Sequence, residues 1–333
     1  MAQEKRRPWR RWVVLALMIV GFIVGGIFVP IQPEISVKAE NLAGEGRTLF
    51  GLPFVNTLTT LVVTILLVIL LAWLTNRSLK QSARSDMVPR GIGNLMEAFF
   101  ELLYNLTEGS AGAKWARAIF PWFATIMFYV LLANLLKLIP GFESIGVLHP
   151  AHGEGHAIAP IAGNWSYLLP TKVEEGGYIL APFFRGISVD LNFTAALAII
   201  AVVAIQVIGF RAQGIGYLSK FFNTRTMFKT PFFGAMDFLV GLLELISELS
   251  KILSFAFRLF GNMFAGVVLV AIVAGLLGKI SILPAMIMMF ELFVGVIQAF
   301  VFGMLTMVFM AQATQGHGHE EEHSEAHAEA HEI

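Results

Sequence analysis

The chain has 333 residues, of which 56% are hydrophobic and 14% charged, and its mean hydropathy is +0.73. Soluble domains carry about 25% charged residues, so the composition excludes an ordinary soluble protein and predicts a membrane-embedded one. The formal net charge is zero, which gives no argument for nucleic-acid binding, and the lack of cysteine excludes disulfides, thiolate metal sites and cysteine nucleophiles.

Six apolar stretches approach or exceed the about 20 residues that a helix needs to cross a bilayer. They run at 13–29, 55–75, 118–139, 191–210, 232–277 and 281–313. The segments between them are polar or rich in Gly and Pro, and no internal repeat is evident. The sequence therefore predicts an all-α fold, a polytopic bundle of membrane helices.

The first stretch follows a basic cluster that runs from Lys5 to Arg11. A basic start, an apolar core and small residues near Ala39 are also typical of a cleaved signal peptide. We favour a retained helix, with the signal peptide as the open alternative.

Lysine and arginine concentrate in every second connection. The N-terminus, 76–117 and 211–231 are richer in them than 30–54 and 140–190. Because cytoplasmic loops carry the excess of positive charge, six crossings place both termini in the cytoplasm. Within one basic connection, 93–107 reads as an amphipathic helix on the membrane interface, or alternatively as a loop helix packed on its neighbours.

The fifth stretch, 232–277, contains no proline and is too long for an upright crossing. As one helix it would measure about 69 Å, against a hydrocarbon core of about 30 Å. It is either broken into two helices or steeply tilted, and its charge pattern favours the tilt. The sixth stretch would measure about 50 Å, so we predict two long, steeply tilted C-terminal helices that form a hairpin.

Plotted as a helix, the fifth stretch gathers its polar side chains into one stripe about 120° wide, from which only Ser250 departs. The stripe consists of Asp237, Glu244, Ser247, Glu248, Lys251, Ser254, Arg258 and Asn262. Charge inside a membrane costs from about 3 to more than 10 kcal/mol and usually marks an ion path. A structural seam is the alternative for Asp237, Glu248 and Lys251, the last two paired locally. It suits Arg258 poorly, because the nearest acid in sequence is ten residues away.

The sixth stretch carries a sparser stripe of Glu291, Gly295 and Gln298. Glu291 is expected about 12–15 Å in from the outer surface at about 1.5 Å per residue, with Gln298 deeper, near the depth of Arg258. An acid open to the outside, an amide at mid-depth and a permanent cation beside it make half of a proton path.

Residues 250–266 read Ser-Lys-Ile-Leu-Ser-Phe-Ala-Phe-Arg-Leu-Phe-Gly-Asn-Met-Phe-Ala-Gly. Together with the Gln-Ala-Phe run at 297–302, this resembles subunit a of the F-type ATP synthases. The match extends through 134–141 and 190–194 and covers about 48–313. It leaves 1–47 as a basic segment with the extra helix and an outer loop, and 314–333 as a His/Glu-rich cytoplasmic tail, expected to be disordered.

The resemblance implies two offset half-channels beside a ring of c subunits that carry carboxylates. Arg258 matches the essential arginine between the half-channels. Asn262, Glu291 and Gln298 match positions of the outer half-channel, and Glu244 matches the acid toward the cytoplasmic exit. Secondary candidates are Ser254, Lys251, Glu248 and Ser247.

The resemblance also implies partners: the c-subunit ring, the peripheral-stalk b subunits, the catalytic head and membrane lipid, in the plasma membrane of a bacterium. No phosphate-binding loop occurs in the sequence, so this chain is not expected to bind ATP or to be catalytic by itself. It is expected to need no cofactor and no metal.

The chain departs from some members of the family at two positions. Where they carry an acid after the Met-aromatic-Ala-Gly run and a histidine seven residues before the later glutamine, this sequence has Val267 and Glu291. The acid has moved to the facing helix, so a relay that needs two outer residues is in doubt.

Other signals are weaker. The H-E-x-x-H pattern at 319–323 lies in a repetitive tail, and a solvated tail is the default interpretation. His149, His152 and His156 are more typical of a surface loop than of a metal site. Competing functions are a self-contained transporter or channel, which would favour inverted repeats and broken helices, and an intramembrane hydrolase, for which no Ser/His pair is apparent.

Overall fold

A computed structural model describes residues 12, 19, 39–42, 48–49, 52–82, 91–139, 141–151, 153–163, 165–174, 176–221, 231–277 and 282–315. Apart from residue 19, the predicted first helix lies outside these residues, as do His152 and the tail from 316 onward. The chain divides into two compact units. The first comprises Met1–Leu61, Asn134–Asp190 and Gly261–Gly295, and the second Val62–Ala133, Leu191–Phe260 and Val296–Ile333.

Five helices in the described part are long and apolar enough to cross a membrane. They are α1 (Asn56–Ser82), α2 (Ile92–Leu136), α3 (Leu191–Gln213), α4 (Pro231–Leu277) and α5 (Ile282–Thr314). Large apolar side chains such as Leu66, Ile69 and Trp73 of α1 are more than half exposed, as a lipid-facing helix requires. The predicted class, a polytopic bundle of membrane helices, is confirmed.

Helix α4 runs without a break for 47 residues, about 70 Å at the rise of an α-helix. The alternative of two shorter helices is therefore wrong. In the second unit α4 packs antiparallel to α5, since the ring of Phe255 lies 5.1 Å from that of Phe302 and Lys251 lies over the ring of Phe309.

Helix α2 contains a sharp reversal at Gly112, whose φ of 72° and ψ of 160° are accessible to glycine alone without strain. The arm 92–111 folds back on the arm 113–136, so that the rings of Phe99 and Phe128 lie 5.1 Å apart. The arm 92–111 contains the segment predicted as an amphipathic helix. It buries Leu103 and packs on its neighbour, which agrees with the alternative interpretation of this segment.

The connection between α2 and α3 contains a four-stranded antiparallel sheet that was not predicted from the sequence. Its strands are β3 (Gly146–Pro150), β4 (Gly155–Ala162), β5 (Trp165–Val173) and β6 (Tyr178–Pro182), in the order β3-β6-β4-β5. A shorter pair, β1 (Thr48–Leu49) and β2 (Leu52–Pro53), precedes α1. His149 lies in β3 and His156 in β4.

The segment that leads from β6 into α3 is tied to the start of α1 within the first unit. The hydroxyl of Thr57 donates to Asp190 Oδ2 at 3.0 Å, and the backbone N–H of Arg185 donates to Thr60 Oγ1 at 3.0 Å. These bonds fix the outer end of α1 beside the 3-10 turn Ile187–Val189.

Candidate ion-translocation site

The surface of α4 in the second unit has three faces of different chemistry. One face is buried and includes Glu248, Phe255 and Leu259. A second is exposed and carries only large apolar side chains, namely Leu242, Ile246, Leu249 and Leu253. The third, which we call the arginine face, is also exposed; it carries Ser247, Ser254 and Arg258 together with the apolar Val240 and Leu243 nearer the start of the helix. Lipid covers large apolar side chains readily, so the arginine face is the one that requires a different neighbour.

Arg258 is exposed on the surface of the second unit. Its Nη2 donates to Ser254 Oγ at 3.4 Å, one helical turn earlier. Within the described part of the chain, no carboxylate lies within 4.0 Å of this guanidinium. A guanidinium stays protonated at every physiological pH. Arg258 therefore presents a permanent positive charge outward, with no fixed acid of its own among the described residues.

In the first unit α4 continues with small or polar exposed residues. Gly261, Asn262 and Ala265 are exposed, whereas Val267 is half-buried. Small residues on a membrane helix let a neighbouring backbone approach closely. This stretch of α4 is shaped for contact with another helix.

The buried face of α4 holds Glu248, which is 5% exposed and firmly partnered. Lys251 donates to Glu248 Oε1 at 2.8 Å, which confirms the predicted local pair. Gln206 of α3 donates to Glu248 Oε2 at 2.8 Å and accepts a hydrogen bond from Tyr217 at 2.8 Å. Lys251 also lies over the ring of Phe309 at 4.8 Å. This cluster ties α3, α4 and α5 together inside the second unit.

In the first unit Glu291 of α5 is buried instead of open to the outside as expected from the sequence. Lys137, just beyond the end of α2, places its Nζ 2.5 Å from Glu291 Oε1, and the two side chains are 4% and 8% exposed. One turn away, Asn134 donates to the carbonyl of Gly295 at 3.1 Å and accepts from Ser188 at 2.7 Å. The outer acid is thus part of a built polar cluster.

The remaining predicted site residues do not all belong to the same unit. Gln298 is 3% exposed within the second unit, and Glu244 is half-buried there. Of the set proposed for the outer half-channel, Asn262 and Glu291 lie in the first unit. Sequence reasoning missed Lys137, Gln206 and Tyr217 as members of polar clusters. A signal for Lys137 existed, because it lies in the run at 134–141 to which the family resemblance extends.

Comparison with known proteins gives a consistent result. The sequence model of the family described as ATP synthase A chain matches residues 57–311. A protein from Desulforamulus reducens named ATP synthase subunit a is 30% identical over 268 residues, which are 78% of this chain and 79% of that protein. One of the same name from Campylobacter jejuni is 30% identical over 259 residues, 76% of this chain and 88% of that protein. A third, from Desulfotalea psychrophila, is 31% identical over 237 residues, 70% of this chain and 76% of that protein.

Proposed function

Because the chain belongs to the ATP synthase A chain family, we propose that it conducts ions, most simply protons, across the membrane beside a rotating ring of carboxylate-bearing subunits. The observation that carries this proposal is the arginine face of α4. It presents Arg258 outward among small side chains, without a carboxylate of the described residues in reach.

The arginine face suits a moving partner better than a fixed one. A cation that is already paired with a carboxylate of its own chain would attract a passing carboxylate only weakly. A carboxylate about 4 Å from Arg258 gains about 4 kcal/mol at an effective dielectric constant of about 20. That is enough to stabilise a ring carboxylate that has just lost its proton, yet small enough for the ring to move on. The same positive charge repels protons that would leak directly between the half-channels.

The other residues divide between the two half-channels. On the outer side Glu291, Gln298 and Asn262 line the path toward the ring, with Glu291 as the group that takes up the proton, and on the cytoplasmic side Glu244 lines the path to the exit. Ser254 and Ser247 contribute the small polar surface against which the ring turns. The Glu248–Lys251 pair acts structurally, since both groups already have partners within the second unit.

In the assembled enzyme this subunit adjoins the c-subunit ring and the peripheral-stalk b subunits, and it serves the catalytic head without binding ATP itself. We place it in the plasma membrane of a bacterium with both termini in the cytoplasm. The basic connection that contains Arg77, Lys80, Lys114 and Arg117 supports this orientation.

The direct test of the proposal is Arg258→Ala in the complete complex reconstituted into vesicles. ATP-driven proton pumping is expected to fall to the level of vesicles without the complex, because the ring carboxylates lose their cationic partner. Pumping is followed by a pH-sensitive dye, and assembly of the complex is measured in the same preparation.

Arg211→Ala is the matched control, since Arg211 is exposed at the end of α3 and has no part in the proposed path. Pumping close to wild type is expected for this variant. Wild-type pumping by a fully assembled Arg258→Ala complex would overturn the proposal.

A further inference from the structure

The outer acid of the proposed path is held by a lysine from another helix. Lys137 Nζ lies 2.5 Å from Glu291 Oε1, and both side chains are more than nine-tenths buried. Two charges taken out of water lose several kcal/mol of hydration each, so such a pair persists only where its geometry is well supported. Here neighbouring residues confine both Glu291 and Lys137.

Glu291 has little freedom to turn away from Lys137. On the α4 side it faces Gly266, where a Cβ atom would lie 2.7 Å from Glu291 Oε1. Because Gly266 has no side chain, the carboxylate of Glu291 fits beside it, and a methyl group at this position would collide with the carboxylate. The bond from Asn134 to the carbonyl of Gly295 fixes the backbones of α2 and α5 one turn from the pair.

Lys137 is confined as well. A Cβ atom at Gly186 would lie 3.1 Å from Lys137 Cδ, so the segment after β6 packs directly on the lysine stem. The N–H of Gly186 donates to Glu143 Oε1 at 3.1 Å, which holds that segment in place. The ammonium group is therefore kept at the carboxylate and is not free to reach solvent.

We propose that Lys137 is a positioning residue of the outer half-channel, a tethered cation that competes with the incoming proton for the Glu291 carboxylate. The inference rests on the proposed function, because it takes Glu291 as a stop on the outer path. A proton arriving from outside binds a carboxylate oxygen, and the ammonium gives up its ionic contact while it keeps its own three protons. When the proton moves on toward the ring, the ion pair re-forms.

The charged groups near this exchange in the described part of the chain are few. Lys137 contacts Glu291 directly, and Glu143 reaches the same segment through Gly186. Asp190 is bonded to Thr57 on α1. From α4 the group that faces Glu291 is Gly266, which carries no charge. Among these groups, Lys137 is the one in direct contact with Glu291.

The test uses the complete complex in vesicles with the catalytic head outside, so that the outer loops face the lumen and the two compartments can be buffered separately. The rate of proton-driven ATP synthesis is measured against lumenal pH for Lys137→Met, Lys137→Arg, Glu291→Gln and Lys137→Met/Glu291→Gln. Lys172→Met is the control, because Lys172 pairs with Glu154 in the outer sheet and both side chains are about two-thirds or more exposed, at 70% and 68%.

Removal of the ammonium leaves a buried carboxyl group without a counter-charge, which holds its proton to higher pH. For Lys137→Met the lumenal pH of half-maximal rate is expected to rise by about one unit or more, while the dependence on external pH stays unchanged. Lys137→Arg, which keeps the charge, should restore most of the wild-type profile, and Lys172→Met should leave it unaltered. In the double variant, Lys137→Met should not change the dependence of the rate on lumenal pH beyond the change caused by Glu291→Gln alone.

An assembled Lys137→Met complex with the wild-type lumenal profile would overturn the inference, as would a profile displaced equally on both sides. If that variant does not assemble, Gly266→Ala replaces it, since the added methyl group displaces the carboxylate from the ammonium. A rise in the half-maximal lumenal pH supports the inference and an unchanged profile refutes it. If Lys137→Met leaves the lumenal profile unchanged but Arg258→Ala still abolishes pumping, only the role of Lys137 is refuted. An Arg258→Ala complex that pumps protons refutes the proposed function itself.

Discussion

At the scale of single residues, the charged side chains of α4 have different tasks although they share one stripe of the sequence. Arg258 is exposed with a serine hydroxyl as its hydrogen-bond partner, whereas Glu248 is 5% exposed and held by Lys251 and Gln206. An arginine proposed to attract passing acids must be exposed, whereas an acid that joins helices must be buried. The two roles can therefore be separated by substitution.

Lys251→Ala should affect stability more than ion conduction. It strips the ammonium from a buried carboxylate and should lower the free energy of unfolding by up to about 3 kcal/mol. Pumping per assembled complex should fall far less than for Arg258→Ala. The measurement compares the amount of assembled complex with the pumping rate of that fraction, and Lys251→Met/Glu248→Gln should recover much of the lost assembly. Complete loss of pumping in a fully assembled Lys251→Ala complex would move Lys251 into the ion path.

Much of the residue-level chemistry was predictable, and the reason is periodicity. A helix of known phase places Arg258, Ser254 and Ser247 on one side from sequence alone, and the spacing of Glu248 and Lys251 predicted their pair. Partners on other helices were not predictable in this way. Lys137 and Glu291 are 154 residues apart in sequence, and only tertiary packing brings them together.

At the scale of elements, the lengths of α4 and α5 were predictable because their apolar runs contain no proline beyond the first turn and so propagate as helix. The reversal inside α2 was not, since Gly112 looks in sequence like Gly109 three residues earlier. The outer sheet was missed for a related reason. Its strands are rich in Gly and Pro, residues that usually indicate loops, and their pairing depends on contacts distant in sequence.

Gly109 and Gly112 of α2 give a matched test of the reversal. A Cβ atom at either position would meet nothing within 4 Å, so packing contributes equally little at both. Gly112→Ala forces a side chain into a backbone conformation reserved for glycine and should destabilise the protein by about 1–3 kcal/mol. Gly109→Ala, in regular helix, should stabilise it by about 0.5–1 kcal/mol. Thermal unfolding of the purified protein in detergent compares the two, and equal midpoints would contradict the reversal at Gly112.

At the scale of the whole molecule, the chain is a multi-pass membrane protein whose proposed function depends on a neighbouring subunit. Its composition, basic connections and family membership agree on the membrane setting. Under the proposed function, the arginine face of α4 is the surface that meets this neighbour, because two exposed faces of one helix differ in chemistry. Leu253 belongs to the apolar face and Ser254 to the arginine face, although they are adjacent in sequence.

The most direct measurement of the central claim is crosslinking from these two adjacent positions. The natural chain has no cysteine, so Ser254→Cys and Leu253→Cys each introduce a single thiol for a photoreactive label, in a complex whose other subunits lack cysteine. The account predicts that the label at position 254 attaches to a small membrane subunit bearing an intramembrane carboxylate, whereas the label at position 253 attaches to lipid. Attachment to lipid alone from position 254 would contradict it.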